Sequence, residues 1–169
     1  MPRVSFDELP GHGQLWVFPA TSELSDEQSA RFMEAVDGFL DVWAAHGVPL
    51  TSARELRDNR FVLIGVDLDA EAPSGCSIDA LVNQLKGLGS ELGVSLIDHS
   101  PVWFRDGDEI HSVGRSEFRR LAGEESVAPD TTVFDTTLTR IASLRAGLLE
   151  RPASETWHGR AFFREKLGA

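Results

Sequence analysis

Cysteine and lysine are scarce in this chain: Cys76 is the lone thiol, and Lys86 and Lys166 stand against fourteen arginines. One cysteine excludes an internal disulfide and fits a reducing compartment. No run approaches the roughly 20 apolar residues that a membrane-spanning helix needs. The opening Met1-Pro2-Arg3-Val4-Ser5-Phe6-Asp7 lacks a basic stretch followed by an apolar one, so no secretory signal is expected and the expected location is the cytoplasm. Neither lysine sits in a Gly-x-x-x-x-Gly-Lys-Ser/Thr loop, which excludes nucleotide hydrolysis by a P-loop. His46, His99, His111 and His158 lack His-x-x-x-His spacing and have no second cysteine to join. Gly11-His12-Gly13 precedes the first expected strand and is too short for a dinucleotide fingerprint. No haem, flavin or nicotinamide cofactor is expected.

What is present suits a soluble globular protein. The 169 residues, 41% hydrophobic and 25% charged, are enough for one domain with a proper core. A formal charge of -11 repels phosphate backbones, so general nucleic-acid binding is disfavoured. Arg115, Arg119 and Arg120 form the one dense basic cluster, read as a solvated helix face balancing Glu124 and Glu125.

The apolar pattern orders the elements. Residues 14–19 read as a buried strand, and Ser25 to Gln28 match a capping box. Phe32, Val36, Phe39 and Trp43 then continue one helical stripe, which should end near His46-Gly47. Val48 to Leu56 permits a partly exposed strand, Asp58-Asn59 a turn, and Phe61 to Val66 a central strand. Ile78, Leu81, Val82, Leu85, Leu88 and Leu92 mark a second helix ending near Gly93. Val94 to Ile97 and Val102 to Phe104 read as a strand bent around Pro101. This βαββαβ order predicts an α+β fold with a ferredoxin-like antiparallel core over about 12–105. Two helices would cover one sheet face, and the other would be solvated, paired or covered by extra chain. The remainder, about 106–169, reads as a C-terminal elaboration of the same single domain. It has short strands at Ile110–Val113 and Thr131–Phe134, a Ser116-capped helix to Leu121, a long helix over Leu138–Leu148 stopped by Pro152, and a last segment with Phe162, Phe163 and Leu167.

Trp43-Ala44-Ala45-His46-Gly47, Arg60-Phe61, Val66-Asp67, Ser74 through Asp79, Asp130-Thr131-Thr132-Val133-Phe134 and Trp157-His158 together resemble a family of uncharacterised bacterial proteins sometimes labelled ABC-transporter ATPases. The resemblance runs over nearly the whole chain. It brings no catalytic residues with it, and the missing P-loop removes the ATPase activity that the label implies.

Three places carry candidate chemistry. Ser74, Gly75, Cys76 and Ser77 open the second helix, where free N–H groups and the dipole favour an anion and would ease ionisation of a thiol. Cys76 would act as a nucleophile only with a base such as His46, His99 or His158; the plainer reading is a small, half-buried residue beside capping by Ser74, Ser77 or Asp79. Asp67, Asp69 and Asp98 lie near strand ends and would bind a divalent metal if the sheet gathered them; as turn and cap residues they need no metal. His46 is expected against the carbonyls of a helix end. Trp157-His158 is expected to dock the tail with Trp157 buried, a catalytic His158 being the alternative. Trp16, Trp43 and Trp103 are expected in the core. The leading expectation is a non-catalytic binding or assembly module, a homodimer through the uncovered sheet face or an edge strand. A small enzyme at the Ser74–Asp79 helix start is the alternative, and a carboxylate-dependent metal hydrolase the weaker one.

Overall fold

The computed structural model describes residues 3–167, with side chains up to Glu165; Leu167, expected among the apolar residues of the tail, lies outside the described side chains. In chain order the elements are β1 (Gln14–Pro19), α1 (Asp26–Val42), β2 (Ala44–Ala45), β3 (Val48–Pro49), β4 (Ser52–Arg57), β5 (Phe61–Val66), α2 (Gly75–Leu92) and β6 (Val102–Asp106). They are followed by β7 (Glu109–Val113), α3 (Arg115–Gly123), β8 (Thr132–Phe134), α4 (Ile141–Arg145), β9 (Glu150–Pro152) and α5 (Trp157–Phe162). The class is α+β with antiparallel sheets. No helix among the described residues is long and apolar enough to cross a membrane. The chain divides into two compact units, one of residues up to Asp98 with Leu138–Ala146, the other of His99–Thr137 with the residues from Gly147.

The first unit is organised by β5. Its six apolar residues sit between β1 and β4 in an antiparallel sheet of order β1-β5-β4, and every one of them is buried. Val62, Ile64 and Val66 meet Phe32, Val36 and Leu40 of α1 and Leu81, Leu85 and Leu88 of α2 in one cluster. On the opposite face Leu9, Ile141 and Phe6 crowd over Gly65. The face expected to be open for a partner is thus covered at β5 by the chain's own residues. Both long helices begin as the capping pattern demands: Ser25 Oγ accepts from Gln28 N–H at 3.1 Å and Gln28 Oε1 from Ser25 N–H at 2.8 Å. Gln28 also donates to the Leu92 carbonyl at the end of α2, 3.0 Å.

Several sequence expectations are corrected. The four-stranded ferredoxin-like sheet is not formed. Residues 94–97 are irregular, and β6 belongs to the second unit's sheet. Gly93 leaves the helix at φ 74, and Val94 and Leu96 turn into the core, so burial is gained without strand pairing. The free side of β1 is occupied instead by Thr139 and Arg140: Leu15 N–H donates to Thr139 O at 2.9 Å, and Gln14 bridges Arg140. That extended stretch explains why the expected long helix over 138–148 shrinks to α4, and Gly147 at φ 81 ends it. α1 stops at Val42 rather than near Gly47. Trp43 is extended and buried against Trp16 and Phe39, and His46 (φ 51) and Gly47 (φ 77) form the two-residue turn of the β2–β3 hairpin.

The second unit holds the sheet β7-β6-β8-β9, packed through Val102, Phe104 and Val133 against Phe118 and Phe163. The Ser116 cap is not used; α3 starts after Gly114 without a side-chain cap. Arg120 pairs with Glu117 and Glu124, whereas Arg115 and Arg119 lie over the rings of Trp157 and Phe162, so only part of that basic cluster is a plain solvated face.

The close approach of residues 94–97 to α2 gives a paired test. A Cβ on Gly89 would stand 2.6 Å from the Val94 carbonyl oxygen, whereas one on exposed Gly87 meets nothing within 4 Å. Gly89→Ala is expected to lower urea-unfolding stability by about 1–3 kcal/mol, and Gly87→Ala to raise it by up to about 1 kcal/mol. Equal effects at the two positions would contradict this packing.

Candidate functional site

At one end of the first unit, β1 begins where β5 finishes, because Gln14 pairs with Val66. The residues just outside that pair are therefore neighbours. His12 Nε2 lies 2.8 Å from Asp69 Oδ2, and ligand atoms of His12, Asp67 and Asp69 all fall within 4.8 Å of one another. Asp67 Oδ1 also accepts the Asp69 N–H at 2.9 Å. The sheet thus gathers Asp67 and Asp69, as considered from sequence, but adds His12, and Asp98 does not join them. His12 was missed because its link to Asp67 exists only through the β1–β5 register; the signal was its place two residues before a strand. His12 and Asp69 are exposed, so water competes for any ion held here.

The α2 start is built for capping. Ser77 N–H donates to Ser74 Oγ at 3.1 Å, and Ser74 N–H to Ser77 Oγ at 2.6 Å. Ser77 Oγ also donates to Ser74 O. Both hydroxyls are therefore engaged, and Ser77 is buried; of the four candidate anion residues only Gly75 and Cys76 keep open first-turn N–H groups. Cys76 is exposed rather than half-buried, and among the described residues its thiol makes no hydrogen bond with a histidine. The buried donor here is Trp43, whose Nε1–H reaches the Ser77 carbonyl at 2.8 Å. His46 is exposed on its turn and caps no helix.

In the second unit the burial of the Trp157-His158 pair is the reverse of expectation. His158 is 1% exposed and Trp157, only partly buried, stacks on it at 3.9 Å between ring centroids. Thr156 caps α5 and holds the imidazole: its Oγ1 accepts from His158 N–H at 3.2 Å, lies 3.1 Å from Ala153 O and is 2.7 Å from His158 Nδ1. Asp135 accepts from Arg151 at 2.8 Å and from Thr137, and His99 Nδ1 lies 3.3 Å from Thr136 Oγ1. Burial pushes the His158 pKa down from 6.5 to about 4; Asp135 opposes this, while Arg115 and Arg151 add to it. These contacts hold the His158 ring in the interior of the second unit.

The remaining candidate is the outer edge of β4. Thr51 O accepts from Asp67 N–H on the β5 side, whereas Ser52 O accepts from Val4 N–H on the outer side. By strand alternation Arg54 and Leu56 point their N–H and C=O groups outward. Among the described residues no backbone group pairs with them. The N-terminal segment bridges Ser52 through Arg3 and then leaves as a short turn at Phe6–Glu8. An open groove of about 520 Å³ is left beside the edge, lined by Arg3, Val4, Asp7, Met33, Arg54 and Leu56 among others. Arg54 is held straight by two bonds to Asp37 of α1, 2.8 and 2.9 Å, and those bonds hold the Asp37 carboxyl below its usual range. Glu55 and Arg57 pair on the opposite face at 2.5 Å. Sequence reasoning named an edge strand as a possible contact but not which one.

No family model, curated protein or solved structure matches the chain.

The buried ring makes stability depend on pH. Unfolded His158 binds its proton near 6.5 and folded His158 only near 4. Between those values the unfolded state carries the extra proton, so stability falls as pH drops through the window. At ~1.4 kcal/mol per tenfold change in proton affinity the loss approaches about 3 kcal/mol by pH 4. Ring resonances of His158 should stay those of neutral imidazole at pH 5; a midpoint near 6.5 would show that the ring is not sealed.

Proposed function

We propose that this chain is a non-catalytic binding or assembly module of the cytoplasm, belonging to the uncharacterised family it resembles, and that it holds a protein partner along β4. The observation that carries the reading is the outward-facing backbone of Arg54 and Leu56, unpaired among the described residues, beside an open groove. Sheet edges of this kind take up an extended strand through main-chain hydrogen bonds. The chemistry-bearing side chains support the same reading by their present roles: Ser74 and Ser77 cap α2, Thr156 and Trp157 enclose His158, and Arg151 neutralises Asp135. In isotopically labelled protein the Arg54 and Leu56 amides should exchange freely at high dilution and slow at least tenfold when a partner covers the edge, either as the chain itself is concentrated or in concentrated cell lysate. The Ala53 and Glu55 amides, directed at β5, should change little. Protection confined to another surface would remove this reading.

A second reading has its own observation, the convergence of His12, Asp67 and Asp69. One imidazole and two carboxylates suit a divalent ion such as manganese or zinc, and a water on that ion would be the nucleophile of a hydrolase. A thermal shift with manganese or zinc that disappears in His12→Ala is the expected result. An unchanged melting temperature with magnesium, manganese, calcium and zinc would dismiss it.

A further inference from the structure

We propose that the partner of the β4 edge is a second copy of this chain, joined by antiparallel pairing of the two β4 strands with Leu56 opposite Leu56. The inference rests on the binding reading above and gives its partner and register. A twofold axis makes an isologous contact, in which the same strand must be complementary to itself. Few charged strands meet that demand. Here Glu55-Leu56-Arg57 read in one direction faces Arg57-Leu56-Glu55 in the other. With Leu56 on the axis, each Glu55 stands opposite the partner's Arg57 and each Arg57 opposite the partner's Glu55, while the two Leu56 side chains meet.

The backbone allows this register. Leu56 directs its N–H and C=O outward, by the alternation fixed at Thr51 and Ser52. Two such residues on the axis exchange both hydrogen bonds, as a hydrogen-bonded antiparallel pair does. The neighbouring registers of the same parity are unfavourable. Moving the axis to Glu55 sets two carboxylates face to face, and moving it to Arg57 sets two guanidiniums face to face; like charges directly opposite destabilise a strand pair. Moving it to Arg54 brings the incoming strand onto Ser52, whose outer carbonyl is already bonded to Val4. Edge charges normally discourage strand addition; at this edge they, together with the Val4 bond to Ser52, disfavour every pairing considered except one. The groove beside Arg54, Glu55 and Leu56 supplies space along this edge, and Met33, Phe6 and Leu56 add apolar lining.

The other edge of the same sheet is less suited. The outer side of β1 is bonded to Thr139, with Arg140 bridging Gln14. The fused sheet would run β1-β5-β4-β4-β5-β1 through both copies.

The test is the solution mass of the full chain as a function of concentration, measured by sedimentation equilibrium. The unaltered chain should rise toward twice its monomer mass. Glu55→Arg and Arg57→Glu should each weaken association roughly tenfold or more, since each exchanges two attractive cross-strand pairs for two repulsive ones. Mixing the two variants should restore association, because every opposed pair is then again of unlike charge. Within each variant the Glu55–Arg57 pair of the single chain remains broken, so recovery on mixing reports contact between chains rather than repair of the fold. Circular dichroism of each variant checks that the sheet is intact. An unaltered chain that stays monomeric at its highest soluble concentration overturns the second-copy inference, and exchange protection in lysate would still favour a different partner. A dimer indifferent to Arg57→Glu, or failing to recover on mixing, overturns the register and places the contact elsewhere, leaving an assembly role standing.

Discussion

The first unit depends on the burial of β5 from four sides at once. Strands β1 and β4 occupy both of its edges, the two long helices lie on one face, and Phe6, Leu9 and Ile141 lie over Gly65 on the other. A strand in that position needs apolar residues at every step rather than at alternate ones, which is why Phe61-Val62-Leu63-Ile64-Gly65-Val66 has no polar residue. The register of β5 with its neighbours then decides which loops meet. Gln14 and Ser52 both pair with Val66, so the segment before β1, the start of β4 and the loop after β5 share one end. His12 and Asp67 are neighbours for that reason, and Val4 reaches the outer side of Ser52 close by.

Trp43 links the helices to this frame. It leaves α1 in an extended conformation, packs edge-on against Trp16, and donates to the Ser77 carbonyl in the first turn of α2. A buried indole N–H without a partner would cost about 1–3 kcal/mol, so the bond fixes where α2 begins relative to the end of α1. The serines of that first turn are drawn into the same arrangement, each hydroxyl serving the other's backbone. A helix start that looks, as a string of small residues, like an open cradle is thus largely closed by its own caps.

Local signals were legible and non-local ones were not. The capping box at Ser25, the helical stripe from Ile78 to Leu92, the αL glycine at Gly93, and the Asp58-Asn59 turn between β4 and β5 are each decided within a few residues, and the structure has them where the spacing puts them. Val94 to Ile97 carried a strand-like pattern, yet whether they pair depends on what already occupies β1, and Thr139 and Arg140, some forty residues further on, are bonded there. The helical spacing from Leu138 to Leu148 was equally real but was overridden by that pairing. His158 and Trp157 exchanged expected roles because size alone favours burying the tryptophan. Thr156 and Ala153 together give the imidazole a bonded interior place that the indole does not have. For the candidate sites, residue type pointed to Asp67 and Asp69 but also to Asp98, which does not join them, and only topology supplied His12.

The charges around the β4 edge are arranged in pairs. A chain with a formal charge of -11 repels other copies of itself at long range, an effect that salt confines to about 8–10 Å under ordinary conditions. Around β4 each arginine has a carboxylate close by: Arg3 with Asp41 at 2.8 Å, Arg54 with Asp37, and Arg57 with Glu55. The edge is therefore close to locally neutral on an otherwise acidic molecule. Exposed pairs of this kind stabilise a fold by only about 0.2–1 kcal/mol each, too little to account for the fold by themselves. On the pairing proposed above, an approaching strand would meet Glu55 and Arg57 on either side of Leu56, and the spacing of these charges rather than their total would select the strand that fits.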